Sequence, residues 1–291
     1  MDIEHHLMPS MNRMGIMEMN AENGLAFYRT IWISDVHLGA RGCKANLLLD
    51  FLRRTHCETL YLVGDIVDGW RLKQGWYWPQ AHNDVVQKLL RRARKGTRVI
   101  YVPGNHDDFA RDYVGNSFGA IEVMDEVMHR TAEGRTLLVV HGDAFDGVMH
   151  YARWLAVLGD HAYTVALVLN HWFNALRRLL GYPYWSLSAY LKHKVKNAVQ
   201  FIGDYERTVT EAARQRHMDG IVCGHIHHAE LRDIDGLIYA NCGDWVESCT
   251  ALVEHHDGRL EIIHWAEPPS LSTLVPTTFL SLFSPQTETI S

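Results

Sequence analysis

The chain has 291 residues, 47% hydrophobic and 21% charged, a balance that excludes a disordered or fibrous protein and supplies a large buried core. Lys and Arg number 28 against 34 Asp and Glu, a formal charge of −6 that argues against a stable nucleic-acid partner. Five cysteines (Cys43, Cys57, Cys223, Cys242 and Cys249), odd in number and without CxxC spacing, predict reduced cytoplasmic thiols rather than a disulfide framework or a thiolate zinc site.

Residues 1–25 hold six of the ten methionines and have no basic segment followed by an apolar one, so they read as an N-terminal tail without a signal peptide. Five short apolar runs then recur, each ending in polar residues: TIWISDVH (30–37), TLYLVGDIVD (59–68), RVIYVPGNHD (98–107), TLLVVHGD (136–143) and GIVCGHIH (220–227). They predict buried strands of an α/β sheet. Residues 44–55 and 79–96 read as intervening amphipathic helices, the second with Pro79 in its first turn and Gly96 at its close.

The segment over about 148–218 differs in character. It lacks the strand-then-turn pattern, is rich in Trp, Tyr, Leu and His, and between 150 and 218 carries nine basic against four acidic residues. GYPYWS (181–186) divides it, which predicts a helical insertion in two parts lying over one edge of the core. The most apolar window, Leu155 to Phe173, is broken by Asp160, His161, Asn170 and His171 and is too interrupted to span a membrane. Asp235-Gly236 and Asp257-Gly258 mark two antiparallel hairpins, and residues 267–291, with many Ser, Thr and Pro, read as an irregular C-terminal tail. Domain 26–266 is thus expected between two tails.

The chemistry lies at the strand ends. Asp35, His37, Asp65, Asp68, Asn105, His106, Asp107, His141, Asp143, His225 and His227 all follow apolar runs, and the carboxyl ends of strands in an open α/β sheet converge on one crevice. Any one of them alone reads as a turn residue, helix cap or core histidine. Together they crowd carboxylates that repel at reduced dielectric unless a cation lies between them. Carboxylate, imidazole and carboxamide donors without thiolate suit Mn, Fe, Zn or Co, and seven candidate ligands exceed what one ion uses.

ISDVHLG, GDIVDGW, GNHDDF, HGD and GHIH resemble the five ordered blocks of the calcineurin-like metallophosphoesterases, over roughly residues 27–266. That resemblance implies a two-sheet sandwich flanked by helices, with a helical cap insertion, holding two divalent metals, Mn²⁺ foremost. It implies Asp35, His37 and His227 on one ion, Asn105, His141 and His225 on the other, and Asp65 bridging both. His106 is then expected to stabilise the transition state or protonate the leaving group, with Asp107 as its orienter and Asp68 holding a ligand imidazole.

Within that superfamily GDIVDGW, VPGNHDDF, HGDAFDGV, GHIHHAE, NCGDWVES and the insertion look most like the UDP-2,3-diacylglucosamine diphosphatases of lipid A biosynthesis. That likeness implies hydrolysis of a nucleotide-linked glycolipid to 2,3-diacylglucosamine 1-phosphate and UMP, peripheral contact with the inner membrane surface, and no obligate protein partner. Arg177, Arg178, Lys192, Lys194 and Trp76 are the expected substrate contacts, and Trp70, Trp76, Tyr77 and Trp78 a cleft lip. At one position the pattern departs: the lipid enzymes carry Arg where this chain keeps His106. His5, His6, His255 and His256 are expected at the surface or in a tail, and Cys223 and Cys242 as small buried strand residues.

Overall fold

The computed structural model describes residues 19–20, 25–145 and 187–265. In chain order its strands are β1 (Met19–Asn20), β2 (Leu25–Ile33), β3 (Thr55–Val63), β4 (Arg98–Val102), β5 (Ser117–Phe118), β6 (Ile121–Val123), β7 (Val127–Arg130) and β8 (Thr136–Val139). β9 (Gly220–Cys223), β10 (Glu230–Ile234), β11 (Leu237–Asn241), β12 (Thr250–Glu254) and β13 (Leu260–His264) follow. The helices are α1 (Ala45–Arg54), α2 (Gly69–Gln74), α3 (Gln80–Arg94) and α4 (Leu187–Gln215).

Two mixed sheets result, one ordered β13-β12-β2-β3-β4-β6-β5 with β1 beside β2, the other β10-β11-β9-β8-β7. The chain is α/β. β2, β3 and β4 pair in parallel, so their carboxyl ends lie on one side, and β8 and β9 are likewise parallel neighbours. Residues 30–33 and 60–63 are buried without alternation, the pattern of strands covered on both faces. Trp32, Tyr61, Val102 and Leu252 of the larger sheet pack against Leu137, Val139, Val222 and Ala240 of the smaller.

α1 buries Ala45, Leu48, Leu49, Phe51 and Leu52, and α3 buries His82, Val85, Leu89, Arg92 and Ala93, stripes at helical spacing that cover the outer face of the larger sheet. Pro79 takes the N-cap of α3 rather than its first turn, its backbone extended. On the smaller sheet Tyr205, Val209 and Ala213 of α4 pack on Leu138, Ile221 and Tyr239. Both hairpin turns form as expected, Asp235 and Gly236 each adopting positive φ (52° and 82°).

Two expectations are corrected, and three further short strands appear. Part of the presumed N-terminal tail belongs to the sheet, Met19 and Asn20 pairing antiparallel with Ala26 and Leu25. β5, β6 and β7 fill a stretch in which the sequence signals no strand, because they are only two to four residues long and pair at or near sheet edges. His255 is buried just beyond β12, because Glu261 (2.8 Å) across the hairpin holds its ring edge-on to Tyr28. All five cysteines are free. Of the insertion only α4 is described; its remainder and residues 267–291 lie outside the described residues.

Candidate metal centre

The loops leaving β2, β3, β4, β8 and β9 converge and bring Asp35, His37, Asp65, Asp68, His106, His141, His225 and His227 together. Among the described residues nine non-glycine positions have positive φ, and five are expected ligands: Asp35 (50°), His37 (54°), Asp65 (52°), His225 (73°) and His227 (56°). The left-handed region costs such residues free energy, so the loops hold these side chains at the expense of local stability, a pattern that clusters at functional sites. Two glycines make the approach possible. A Cβ on Gly104 would stand 2.5 Å from Asp65 Oδ1 and 2.6 Å from His141 Nε2, and one on Gly224 would stand 2.5 Å from Asp35 Oδ2.

Three overlapping groups of donor atoms form: Asp35, His37 and His227; Asp65, His141 and His225; and His37, Asp68 and His106. In the first, His227 Nε2 lies 3.1 Å from Asp35 Oδ1 and 3.2 Å from His37 Nε2. In the second, His141 Nε2 lies 3.5 Å from Asp65 Oδ1. Asp65 stands between them, its Oδ2 3.8 Å from His37 Nε2.

The donors fit a cation. His141 Nδ1 donates to the Val63 carbonyl (2.9 Å), which leaves Nε2, 3.5 Å from the Asp65 carboxylate, as the ring nitrogen that takes up either a proton or a metal ion. Asp35 Oδ1 and His141 Nε2 are both sealed from solvent and make no hydrogen bond. An orphaned buried polar atom is costly, and two of them converging on a cluster of further potential ligands is the arrangement a metal ion completes. The set of carboxylate and imidazole, without thiolate, matches the divalent ions expected from the sequence.

The protonation pattern makes the same point. Burial opposes the Asp35 charge, yet the adjoining His227 and nearby His141 imidazoles hold its pKa down to about 2. Asp65 is likewise lowered, against its burial, by His141, His37 and His106. Burial disfavours charge on His141, but Asp65 and Asp35 pull it up to about 10, and Asp35 raises His227 against burial in the same way. The carboxylates thus draw protons onto the imidazoles, and a divalent cation in that field displaces those protons.

A second layer orients the first. Asp68 Oδ2 is 3.3 Å from His37 Nδ1 and Oδ1 is 2.9 Å from His106 Nδ1, so one carboxylate holds two imidazoles while capping α2 through the Arg71 N–H. Burial raises the Asp68 pKa, but its bonds to these two histidines and to Arg71 leave it well below the usual range. His106 is held on two further sides, by the His37 ring edge-on (4.6 Å) and the Trp70 indole tilted over its face (4.2 Å). Its own N–H donates to Asp65 Oδ1 (2.7 Å).

The expected role of Asp107 is corrected. Its carboxylate accepts the backbone N–H groups of Gly104 (2.6 Å), Ile66 (2.6 Å), Asp65 (3.2 Å) and Val67 (3.2 Å), and it is fully buried. It clamps the loop carrying Asp65 onto the loop carrying Asn105, and the orienter of His106 is Asp68. Burial and the Asp65 charge push the Asp107 carboxyl up despite those donors.

The model of the calcineurin-like phosphoesterase family matches residues 28–229, which is most of the chain and spans every one of these loops. The chain belongs to that family. UDP-2,3-diacylglucosamine hydrolase of Chromohalobacter salexigens is 31% identical over 140 residues, covering 45% of this chain and 54% of the relative. The protein of that name from Pseudomonas aeruginosa is 28% identical over 135 residues, covering 43% and 54%. The chain thus matches about half the length of these curated relatives. A solved phosphoesterase from E. coli covers 81% of this chain and 99% of its own, at 14% identity and a TM-score of 0.38.

The remaining expected residues of this family member are placed as follows. Asn105 is half-buried on the loop between Gly104 and His106. Trp76 is 78% exposed and its ring partner is Trp78 (6.0 Å), not a member of the cluster, so of the presumed aromatic lip it is Trp70 that reaches the centre. Lys192 and Lys194 lie on α4 with side chains outside the described residues, where Arg177 and Arg178 lie altogether.

Two further supports carry no sequence signature. Asn241, which ends β11, donates to the Gly224 carbonyl (2.8 Å) and accepts from Gly243 N–H (3.0 Å). Tyr205 of α4 sets its hydroxyl 3.4 Å from Gly224 O, and a Cβ on Gly142 would overlap that hydroxyl. Each holds loops that bear His141 or His225, and only the fold brings them there.

Proposed function

We propose that the chain is a two-metal phosphoester hydrolase that cleaves the diphosphate of UDP-2,3-diacylglucosamine, releasing UMP and 2,3-diacylglucosamine 1-phosphate. The observation that carries the hydrolase reading is the pair of orphaned, sealed donors, Asp35 Oδ1 and His141 Nε2, on either side of Asp65. Asp35, His37 and His227 would hold one ion and Asn105, His141 and His225 the other, with Asp65 shared. When bound, such ions supply Lewis-acid polarisation of the phosphoryl group and acidify the attacking water, and Mn²⁺ is the ion proposed.

The chain's own groups do the rest. Asp68 fixes His106 through Nδ1, which leaves Nε2 as the atom that donates to the phosphoryl oxygens or to the departing group. Nε2 lies 3.9 Å from Asp65 Oδ2, at the edge of the cluster, and the side chain keeps 13% of its surface open to solvent. The glycolipid substrate is supported by the names of the relatives and by the aromatic, basic composition of residues 150–218. Peripheral contact with an anionic inner membrane belongs to the same reading; among the described residues no helix is long and apolar enough to cross a membrane.

A second reading, a phosphodiesterase for another nucleotide, lipid or nucleic-acid ester, is favoured by the GNHD block, which keeps His106 where the likeness to the lipid enzymes implies Arg. The test is hydrolysis by Mn²⁺-loaded protein of UDP-2,3-diacylglucosamine, UDP-N-acetylglucosamine and bis-p-nitrophenyl phosphate. UMP released only from the acylated substrate supports the first reading. Turnover of the generic diester alone supports the second, and no turnover of any would overturn both.

A further inference from the structure

Between α1 and α3, on the outer face of the larger sheet, lies a cleft of about 320 Å³ lined by Leu49, Arg53, Asp84, Gln87, Lys88 and Arg91. None of these belongs to the metal centre. Three cations face one carboxylate, and that carboxylate is engaged by the Gln80 amide (2.7 Å). Among the described residues Arg53, Lys88 and Arg91 form no ion pair, whereas the neighbouring Arg54 pairs with Asp50 at 2.9 Å.

Behind the cleft stands a fourth cation. Arg92 is 6% exposed, and its guanidinium reaches neutral acceptors: the carbonyls of Leu52 (2.7 Å) and Thr55, the Thr55 hydroxyl (3.1 Å) and the Cys57 thiol (3.7 Å). Burial pushes that thiol up to about 11, so it supplies no charge. Burial, then Arg92, Arg53, Arg91 and Lys95, holds the Lys88 ammonium below its usual range.

Helix dipoles account for part of this. α1 and α3 lead into the parallel strands β3 and β4, so their carboxyl ends lie together, and cations in a last turn are favoured there. That effect fades within a turn, and Lys88 lies six residues before the end of α3. Lys88 is half-buried while Arg53 and Arg91 are exposed, and three like charges lining one cleft repel until an anion lies between them.

We infer that the α1/α3 cleft is an anion site that takes a phosphate group, separate from the metal centre. Arg53, Lys88 and Arg91 offer the forked and pointed donors that suit a tetrahedral dianion, backed by the fixed charge of Arg92. The phosphate is borne by a soluble ion or ester, or by a lipid headgroup.

The experiment follows thermal stability with inorganic phosphate, and co-sedimentation with phosphatidylcholine vesicles containing or lacking phosphatidic acid. It compares wild-type holoenzyme, Arg53→Gln with Lys88→Gln, Arg91→Gln alone, and Asp65→Asn, which cripples the metal centre. Phosphate should raise the melting temperature of wild type and Asp65→Asn alike, with affinity at least tenfold weaker in the cleft variants. Those variants should melt no lower than wild type without phosphate and should hydrolyse bis-p-nitrophenyl phosphate at the wild-type rate. Retention on phosphatidic acid vesicles without a response to free phosphate, again lost in the cleft variants, assigns the group to a lipid. Binding of neither probe, binding unaltered in the cleft variants, or binding lost only in Asp65→Asn would overturn the inference.

Discussion

Two fully buried carboxylates belong to adjacent strands of the larger sheet: Asp35 just beyond the carboxyl end of β2, and Glu254 at the end of β12 opposite Thr30. Glu254 accepts from Arg29 Nη1 (2.7 Å to each oxygen), Thr30 Oγ1 (2.8 Å), Ala132 N (2.7 Å) and His129 Nε2 (3.0 Å). Asp35 accepts the His225 N–H on Oδ2 (2.9 Å), while Oδ1 has no hydrogen bond. The pKa of each is lowered to about 2 against the pull of burial, in Glu254 by His129 and the other donors and in Asp35 by imidazoles that take up protons. Equal burial and equal acidity thus hide different states: the fold closes one carboxylate with its own donors and leaves the other to be completed by a ligand.

The comparison can be broken most sharply at Asp65, the carboxylate proposed to be shared by both ions. Asp65→Asn should reduce kcat on bis-p-nitrophenyl phosphate by about 10³-fold or more in saturating Mn²⁺, while a retained rate would remove the shared-ligand role. Chelation should act on the open cluster alone. Removing two ions, each present at about 1,000 times its Kd, withdraws about 4 kcal/mol per ion and about 8 for the pair, lowering the melting temperature of a domain this size by roughly 20 °C, measurable by differential scanning calorimetry.

Glu254→Gln should do the converse, costing about 3 kcal/mol in urea unfolding because the half-buried Arg29 loses its counter-charge and His129 Nε2 loses a carboxylate acceptor, with kcat little changed. The pH dependence has a definite sign. Glu254 is more acidic in the folded chain, about 2 against 4.5, so its contribution is full above about pH 4.5 and is lost as the pH falls toward 2. Glu254→Gln should therefore flatten the acid limb of stability across that window. Smaller still, Asp68→Asn should lower kcat by about tenfold to a hundredfold with KM nearly constant, since it loosens His106 without removing a ligand.

The convergence of Asp35, His37, Asp65, His141, His225 and His227 is legible in the sequence because each ends an apolar run, and parallel strands deliver their carboxyl ends to one place. Asp107 is not. Adjacency to His106 suggests that the two touch, yet consecutive residues on a tight loop point different ways, and Asp107 turns beneath the Asp65 loop while Asp68, 38 residues earlier, reaches the imidazole. The Glu254 cluster is illegible for a related reason: its donors Arg29 and His129 lie 225 and 125 residues away and follow no periodicity. Asn241 and Tyr205 likewise gain their meaning only from the sheet and helix that bring them under the ligand loops.

The central claim is that the open cluster is completed by two cations, and isothermal titration of Mn²⁺ into metal-free protein tests it most directly. Two ions per chain, with protons released as His141 and His227 exchange them for metal and the titration reduced in Asp65→Asn, is the predicted result. A wild-type chain that binds no Mn²⁺, or binds it unaltered by Asp65→Asn, would contradict it.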